Sequence, residues 1–403
     1  MTPLTGYWGT EVTIDGENFG AVAGTGSVQV AGTGANGFVL DTWNDTEITG
    51  RIAFPATGMF SIQTGNGEVD AWPFTTMDPY VPSSSLDVSQ LVEALAVSTG
   101  DVAGLYQEYE LTNEPTLAVF SGSAAGAYPI DDLVDTATPS APMIARLVEA
   151  DDQTPEVIAT KPDGTIAAFA IQGSSIAATA TGLTGTVVAA ARDATGVYAW
   201  IATASGVERV RPGAPWTVDR GPFVPADAPL DGAIAADGTL WIAVSEPAGT
   251  NLAYVSLQVL SPAASAFSAL ERADPTSYAD EISQAHIILA PDGVHAVVLA
   301  TADAGGTPTS LTPRQRTAAA TWSAAPTMSG LVQYGFIGAT LGAIVNDATA
   351  KTTSLVPDVT MPAGAQVIPV WPMQSEGFVV DSADQAHPLI TNGSVRYALT
   401  PPM

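Results

Sequence analysis

The sequence contains no cysteine and few basic residues. Its 403 residues include 12 Lys and Arg against 41 Asp and Glu, so the formal net charge is −29. Without cysteine, disulfide frameworks, thiolate metal sites and cysteine nucleophiles are excluded. Nucleic-acid phosphates and acidic lipid surfaces repel a polyanion of this kind, so the sequence predicts no nucleic-acid partner.

Long apolar runs are also missing. No run reaches 18 apolar residues, so no membrane span is predicted. The opening segment Met1–Gly6 has neither the basic start nor the apolar core of a secretory signal peptide. Either a signal was removed, or the protein reaches its destination without one. The low charged fraction of 13%, with 38 Gly and 30 Pro, favours an extracellular, cell-surface or virion location.

Residues 1–77 show short runs in which apolar and polar side chains alternate. Examples are Glu11–Asp15 and Ser27–Val30. This period of two is typical of half-buried antiparallel strands, so a small β-sandwich is predicted.

A tight turn is predicted directly after the first of these runs. Gly16 and Gly20 favour positive φ angles there, and the side chain of Asn18 can bond its own backbone. Phe19 and Trp43 are predicted to anchor the core between the two sheets.

The same segment resembles the IPT/TIG family. Residues 9–20 read GTEVTIDGENFG, close to the opening of that module. The rest of the match consists of Val28–Val30, Trp43–Ile48, Pro55, Gly58–Val69 and Phe74. The resemblance implies an immunoglobulin-like domain over residues 1–77. It implies no catalytic residues, because such modules serve as spacers, docking surfaces or binding units.

Residues 78–116 are predicted to form a linker. Asp78–Ser85 is rich in Pro and Ser. A helical i, i+3, i+4, i+7 spacing follows, carried by Val88, Leu91, Val92 and Leu95. This spacing predicts a short helix, capped by Ser85 or Asp87, in the joint between two domains.

A loose repeat, in which a turn is followed by an alternating strand, runs from 117 to 403. The strongest copies start at Asp163, Asp193, Asp237 and Asp292, and weaker copies start at Asn346 and Asp384. The mean spacing is about 44 residues, which is typical of a β-propeller. Six or seven blades are predicted, with seven favoured.

The segment Asp237–Trp241 reads DGTLW and is similar to the turn and strand of NHL-type propellers. Bacterial surface glycan-binding proteins that join TIG modules to NHL-like propellers have the same order of parts. The resemblance implies a shape and, only by analogy, a glycan-binding role.

No catalytic residue is predicted. Residues 32–37 satisfy G-x-G-x-x-G, but a strand follows where a dinucleotide site needs a helix, so a hairpin loop is predicted. Neither G-x-S-x-G nor S-x-x-K occurs, and Lys161 and Lys351 are the only lysines. His286, His295 and His387 form no zinc motif, although a propeller can bring distant residues together at its central channel.

Several acidic groups have two possible roles, solvated loops or calcium ligands. They are Asp131, Asp132 and Asp135; Asp151 and Asp152; Asp280 and Glu281; and Asp381 and Asp384. No EF-hand loop is present, so no metal ligand is assigned, no cofactor is predicted and calcium stays possible.

The aromatic residues of the repeat region fall into two groups. Phe169, Trp200 and Trp241 alternate within strands and are predicted to pack between blades. Trp216, Trp322 and Trp371 lie in loop-like contexts. Loop tryptophans can stack on sugars, anchor a protein partner or cover the end of a blade. Trp216, Trp322 and Trp371 are therefore the candidate ligand-binding residues.

Together these features predict an all-β protein with an immunoglobulin-like sandwich (1–77), a linker with a short helix (78–116) and a β-propeller (117–403). The predicted function is non-enzymatic binding or adhesion, with the propeller face recognising a glycan or protein. One alternative is a structural, fibre or decoration protein of a phage virion. The other is a propeller lyase or hydrolase acting at the central channel.

Overall fold

The computed structural model describes 2, 4–6, 11–30, 38–52, 58–65, 69–76, 89–108, 115–121, 124–130, 133, 144–213, 215–249, 252–279, 281–303, 307–347, 352–362, 365–368, 374–380, 386–392 and 395–398. Within these ranges the regular structure is β-strand, with no α-helix, so the all-β prediction is confirmed. Accordingly, the described residues include no helix long and apolar enough to cross a membrane.

Two sheets form the N-terminal part. The first has the order β1 (Thr5–Gly6), β7 (Val69–Thr76), β6 (Gly58–Gln63), β3 (Ser27–Val30), and the second has the order β2 (Glu11–Asp15), β5 (Glu47–Ile52), β4 (Phe38–Trp43). Ile14 and Ile48 from one sheet share a buried cluster with Phe60 and Ile62 from the other. The alternation in the sequence therefore places one face of each sheet in a common core.

The predicted turn lies at the edge of this core. Asn18 and Gly20 have positive φ angles of 63° and 91°, while Gly16 does not have a positive φ. Gly16 is required for another reason, since a Cβ there would collide with the ring of Phe19. The indole N–H of Trp43 donates to the carbonyl of Phe19 at 3.0 Å, so both aromatics pack at the core as predicted.

Seven further sheets follow in the described part of the chain, each built from consecutive strands. Sheet 1 contains β8 (Ser89–Ala96), β9 (Val102–Glu108), β10 (Thr116–Ser121) and β11 (Ala124–Pro129); sheet 2 contains β12 (Ala145–Glu149), β13 (Pro155–Thr160), β14 (Thr165–Gln172) and β15 (Ser175–Thr184); sheet 3 contains β16 (Thr186–Asp193), β17 (Gly196–Thr203), β18 (Gly206–Arg211) and β19 (Thr217–Phe223). Sheet 4 contains β20 (Pro229–Ile234), β21 (Leu240–Gly249), β22 (Leu252–Leu260), β23 (Glu271–Arg272) and β24 (Tyr278–Ala279); sheet 5 contains β25 (Glu281–Leu289), β26 (Ala296–Asp303), β27 (Pro308–Ser310), β28 (Arg314–Ala318) and β29 (Thr321–Ala324). Sheet 6 contains β30 (Leu331–Ile337), β31 (Thr340–Asp347), β32 (Thr352–Val356) and β33 (Gln366–Ile368), and sheet 7 contains β34 (Gln374–Val380), β35 (Ala386–Asn392) and β36 (Val395–Ala398).

The first strands of these sheets form a ring. β8, β12, β16, β20, β25, β30 and β34 contact one another in this order, and β34 also contacts β8. Sheets that radiate from a closed ring of first strands form a β-propeller, and the ring surrounds a central channel.

The hydrophobic cores lie between neighbouring sheets. Phe169 packs between sheets 1 and 2, Trp200 between sheets 3 and 4, and Trp241 between sheets 4 and 5. All three side chains are buried, which confirms the predicted packing role. Val102 of sheet 1 shares a cluster with Val379 and Leu389 of sheet 7, so apolar packing also joins the first sheet to the last.

The predicted linker helix is wrong. Leu91, Val92 and Leu95 lie in β8, the first strand of sheet 1, whereas Val88 and the predicted caps Ser85 and Asp87 lie outside the described residues. Val92 and Leu95 pack towards sheet 2, whereas Leu91 packs towards sheet 7, and the pairing with β9 is irregular between Leu91 and Glu93. A strand that is apolar on both faces and contains a bulge produces the same spacing as one face of a helix. The boundaries 1–77, 78–116 and 117–403 stay a prediction.

Turns of the repeat are built as Asx turns. The carboxylates of Asp163 and Asp193 each accept a hydrogen bond from the backbone N–H two residues later, at 2.9 and 2.8 Å. The turn at Asp193 joins the first two strands of its sheet, whereas the turn at Asp163 joins the second and third strands. This difference explains why the first spacing of the repeat is short.

Candidate functional site in the central channel

Four ionisable side chains come from first strands of the ring. They are Glu93 on β8, Arg146 on β12, Asp231 on β20 and His286 on β25. Each lies three residues before the last residue of its strand, and a hairpin to the second strand of the same sheet follows. Equivalent positions on the ring place the four side chains at one level of the channel.

Arg146 and Asp231 form an ion pair between sheets 2 and 4. Nη2 of Arg146 donates to Oδ1 of Asp231, Nε donates to the carbonyl of Val188 on sheet 3 at 3.0 Å, and Nη1 donates to the carbonyl of Ala145 at 2.9 Å. The Asp231 side chain is only 6% exposed. The pair therefore links three consecutive sheets at the channel wall.

Asp231 also connects the pair to sheet 5. Its Oδ2 accepts the backbone N–H of Ile287 at 2.7 Å and lies 3.3 Å from Nδ1 of His286. Both carboxylate oxygens are thus occupied by protein groups. His286 keeps 55% of its side-chain surface exposed although it belongs to the innermost ring, so the exposed part of the imidazole is channel surface.

Glu93 completes the set from sheet 1. Its Oε2 accepts the backbone N–H of Leu147 at 2.6 Å, which joins sheets 1 and 2 next to Arg146. Glu93 and His286 also influence each other electrostatically. Because sheets 1 and 5 are not neighbours in the ring, this interaction acts across the channel.

The environment shifts the pKa values of three of these groups, those of Glu93 and His286 upwards and that of Asp231 downwards. Burial raises the pKa of Glu93 to about 7, although Arg146 and the N–H of Leu147 oppose the shift. Burial alone would raise the pKa of Asp231, but the charge of Arg146 and the contact with His286 outweigh it and lower that pKa. Burial alone would lower the pKa of His286, and Asp231 outweighs it, so the imidazolium form is favoured.

This arrangement can bind and exchange protons with a small polar group. Arg146 and Asp231 compensate each other's charge. Among the described residues, the imidazole of His286 has only Asp231 as a polar partner, and the Oε1 atom of Glu93 has no hydrogen-bond partner. The pKa of Glu93 is raised to about 7 by burial, that of His286 is raised by Asp231, and both groups are available to a ligand.

The structure places the predicted tryptophans elsewhere. Trp216 is 4% exposed and packs between sheets 2 and 3. Trp322 lies in β29, half-buried, and its indole N–H donates to Oε1 of Glu271 at 2.6 Å. Trp371 lies outside the described residues. A ligand-binding role for these residues stays a prediction, and neither Trp216 nor Trp322 belongs to the set of four in the channel.

The remaining candidate residues are dispersed. His295 lies in the hairpin before β26, and its Nδ1 pairs with Asp292 at 2.5 Å. No three His, Asp or Glu side chains in the described ranges are grouped so that they could hold a metal ion. The calcium possibility stays a prediction, because many of the acidic residues named for it lie outside the described residues. Residues 32–37, which were predicted to form a hairpin loop, also lie outside them.

A second carboxyl group with a raised pKa lies outside the channel. Burial, together with repulsion from Asp152 and Asp151, raises the pKa of Glu156 on β13 to about 7. This carboxyl binds its proton more tightly in the folded state than in the unfolded state. The free energy of unfolding of the protein therefore falls as the pH rises from about 4.5 to about 7. We expect Glu156→Gln to stabilise the protein by up to about 3 kcal/mol near pH 8 and by little near pH 4. Urea unfolding at both pH values measures this, and an equal effect at both would contradict the assignment.

Comparisons with known proteins give only distant structural likenesses. No family model and no curated protein matches the sequence. Among solved structures, YCF48 bound to D1 peptide is 12% identical, with 80% of this chain and 97% of that chain covered and a TM-score of 0.48. The Hadza microbial sialidase Hz136 is 9% identical, with 89% and 77% covered and a TM-score of 0.41. The β-propeller domain of the Trilobed protease from Pyrococcus furiosus is 9% identical, with 77% and 94% covered and a TM-score of 0.44. Likenesses this distant carry no argument about function.

Proposed function

We propose that this protein is a non-enzymatic binding protein whose propeller recognises a glycan or protein partner at one mouth of the central channel. In this proposal the seven sheets are the seven blades, and the N-terminal sheets form an immunoglobulin-like IPT/TIG domain that acts as a spacer. A position on a cell surface or a virion is part of the same proposal.

The observation that supports binding is the convergence of Glu93, Arg146, Asp231 and His286 in the channel. Burying ionisable groups is costly, and packing alone does not need them. Arg146 and Asp231 are held in place by each other and by backbone groups, and Asp231 also contacts His286. A rigid ion pair beside two groups that are fixed by the protein is the arrangement expected of a preorganised binding site.

Binding is tested by comparing two histidines of the same sheet. We expect His286→Ala to lower the affinity for a ligand found on a glycan or peptide array by at least about tenfold, because one charge-assisted hydrogen bond is lost. His295→Ala is the matched control, since His295 is also paired with an aspartate but lies in the hairpin. Equal binding by all three proteins would refute a channel site, and a loss caused by Trp322→Ala would favour an aromatic platform instead.

One observation favours an enzyme as the second candidate. A carboxyl group with a pKa of about 7 opposite an imidazole has the properties of a general acid and base. Turnover of any glycoside or ester that is abolished by Glu93→Gln and retained by Glu156→Gln would establish this alternative and replace the binding proposal.

A further inference from the structure

The accessible groups of the channel site are mainly hydrogen-bond donors when the site is protonated. Nδ1 of His286 faces Asp231, so Nε2–H of the imidazolium is left as a donor towards the channel. The acid form of Glu93 offers an O–H, because its other oxygen is held by the N–H of Leu147. Arg146 has five N–H groups, and three of them donate hydrogen bonds to Val188, Ala145 and Asp231.

We propose that the channel site binds a carboxylate group of its ligand, with His286, the acid form of Glu93 and Arg146 as the donors. This inference rests on the proposed function and deepens it, since it names the chemical group that the channel recognises. It applies to a carboxylate on a sugar and to one at the end of a peptide.

Other ligand classes fit the site less well. A metal cation needs several oxygen ligands, whereas both oxygens of Asp231 and one oxygen of Glu93 already accept hydrogen bonds from the protein. A neutral hydroxyl would leave the charge of the imidazolium uncompensated. A carboxylate accepts from all three donors, and such charge-assisted bonds are about twice as strong as neutral ones.

The charge of the site depends on pH in the direction that a carboxylate ligand requires. The ionisable groups that act on Glu93 and His286 are Arg146 and Asp231, besides each other. On the neighbouring strand β30, Tyr334 donates its hydroxyl to the carbonyl of Pro326 and stays neutral. With Arg146 and Asp231 compensating each other, the described site carries one positive charge when Glu93 and His286 are both protonated. It carries one negative charge when both have lost their protons.

The test uses isothermal titration calorimetry with D-glucuronate and D-glucose as a matched pair of sugars, and with N-acetylglycine and its amide as a matched pair of peptide-like probes. Near pH 5.5 we expect the two carboxylates to bind and the two neutral probes to show no heat of binding. The affinity should fall by up to about tenfold per pH unit above about 7, where Glu93 loses its proton. Binding of glucuronate alone would assign the carboxylate to a sugar, and binding of N-acetylglycine alone would assign it to a peptide.

Two conservative variants separate the proposed donors from a structural role. The amide of Glu93→Gln supplies an N–H without taking up a proton, so near pH 8 this variant should bind the carboxylate more tightly than the wild type and take up about one proton fewer. His286→Gln should lose at least about tenfold in affinity near pH 5.5, and His295→Gln should bind like the wild type.

The inference is overturned if the neutral probes bind as tightly as the carboxylates, if affinity rises with pH, or if His286→Gln changes nothing. If the neutral probes bind at the channel and lose affinity in His286→Gln, the carboxylate inference fails but the proposed binding function is retained. If no probe binds and the array ligands are also insensitive to His286→Ala, the inference and the proposed function fail together.

Discussion

Replacing Asp231 by alanine is expected to lower the free energy of unfolding by about 3–5 kcal/mol. The substitution leaves the guanidinium of Arg146, which is 16% exposed, without its counterion. It also leaves the N–H of Ile287 without an acceptor. Breaking a buried pair on one side is costly because the desolvated charge that remains is uncompensated.

Two controls separate this effect from the general loss of an ion pair. Asp219 pairs with Arg209 and Arg211 at a site that is 27% exposed, so Asp219→Ala should cost about 1 kcal/mol or less. The double variant Arg146→Met with Asp231→Leu should recover most of the stability, because neither charge is then left alone. Guanidinium unfolding of the four proteins measures this, and a double variant as unstable as Asp231→Ala would contradict the account.

Trp200→Ala is expected to destabilise the propeller by about 3–5 kcal/mol. The side chain is completely buried between sheets 3 and 4, and its ring lies 6.1 Å from that of Phe223. Removing the indole opens a cavity that neighbouring strands cannot close without disturbing their hydrogen bonds.

A milder substitution tests whether packing alone accounts for this loss. The indole N–H of Trp200 is buried and has no acceptor among the described residues, so Trp200→Phe loses volume but no hydrogen bond seen there. We expect Trp200→Phe to cost about 1–2 kcal/mol in the same unfolding experiment. A cost equal to that of Trp200→Ala would mean that the N–H makes an essential contact.

The sequence predicts the architecture better than the site, for reasons visible in particular residues. Alternation at Glu11–Asp15 and turn residues such as Asp193 are local signals, and each is formed as predicted. The helix prediction for the segment around Leu91 is wrong because the residues that this segment packs against, in sheets 2 and 7, are distant in the chain. Trp216 appeared to lie in an exposed loop, yet that loop folds back onto the core between sheets 2 and 3.

The sequence does not predict the set of four channel residues, because no motif joins them. They differ in type and lie in four different sheets, so only ring closure brings them together. They nevertheless share a local signal: each is an ionisable residue in the first strand of its sheet, three residues before the strand ends. In a repeat protein, an ionisable residue at the same place in several repeats indicates a common surface.

The central claim is that Glu93, Arg146, Asp231 and His286 form one electrostatically coupled site across the channel. The most direct measurement is a nuclear magnetic resonance pH titration of the three histidine rings in the wild type and in Glu93→Gln. We predict that the pKa of His286 lies above its ordinary value of about 6.5 and falls in Glu93→Gln, because a carboxylate across the channel has been removed. The ring signals of His295 in both proteins serve as the control. A His286 that titrates at its ordinary value and does not respond to Glu93→Gln would contradict the account.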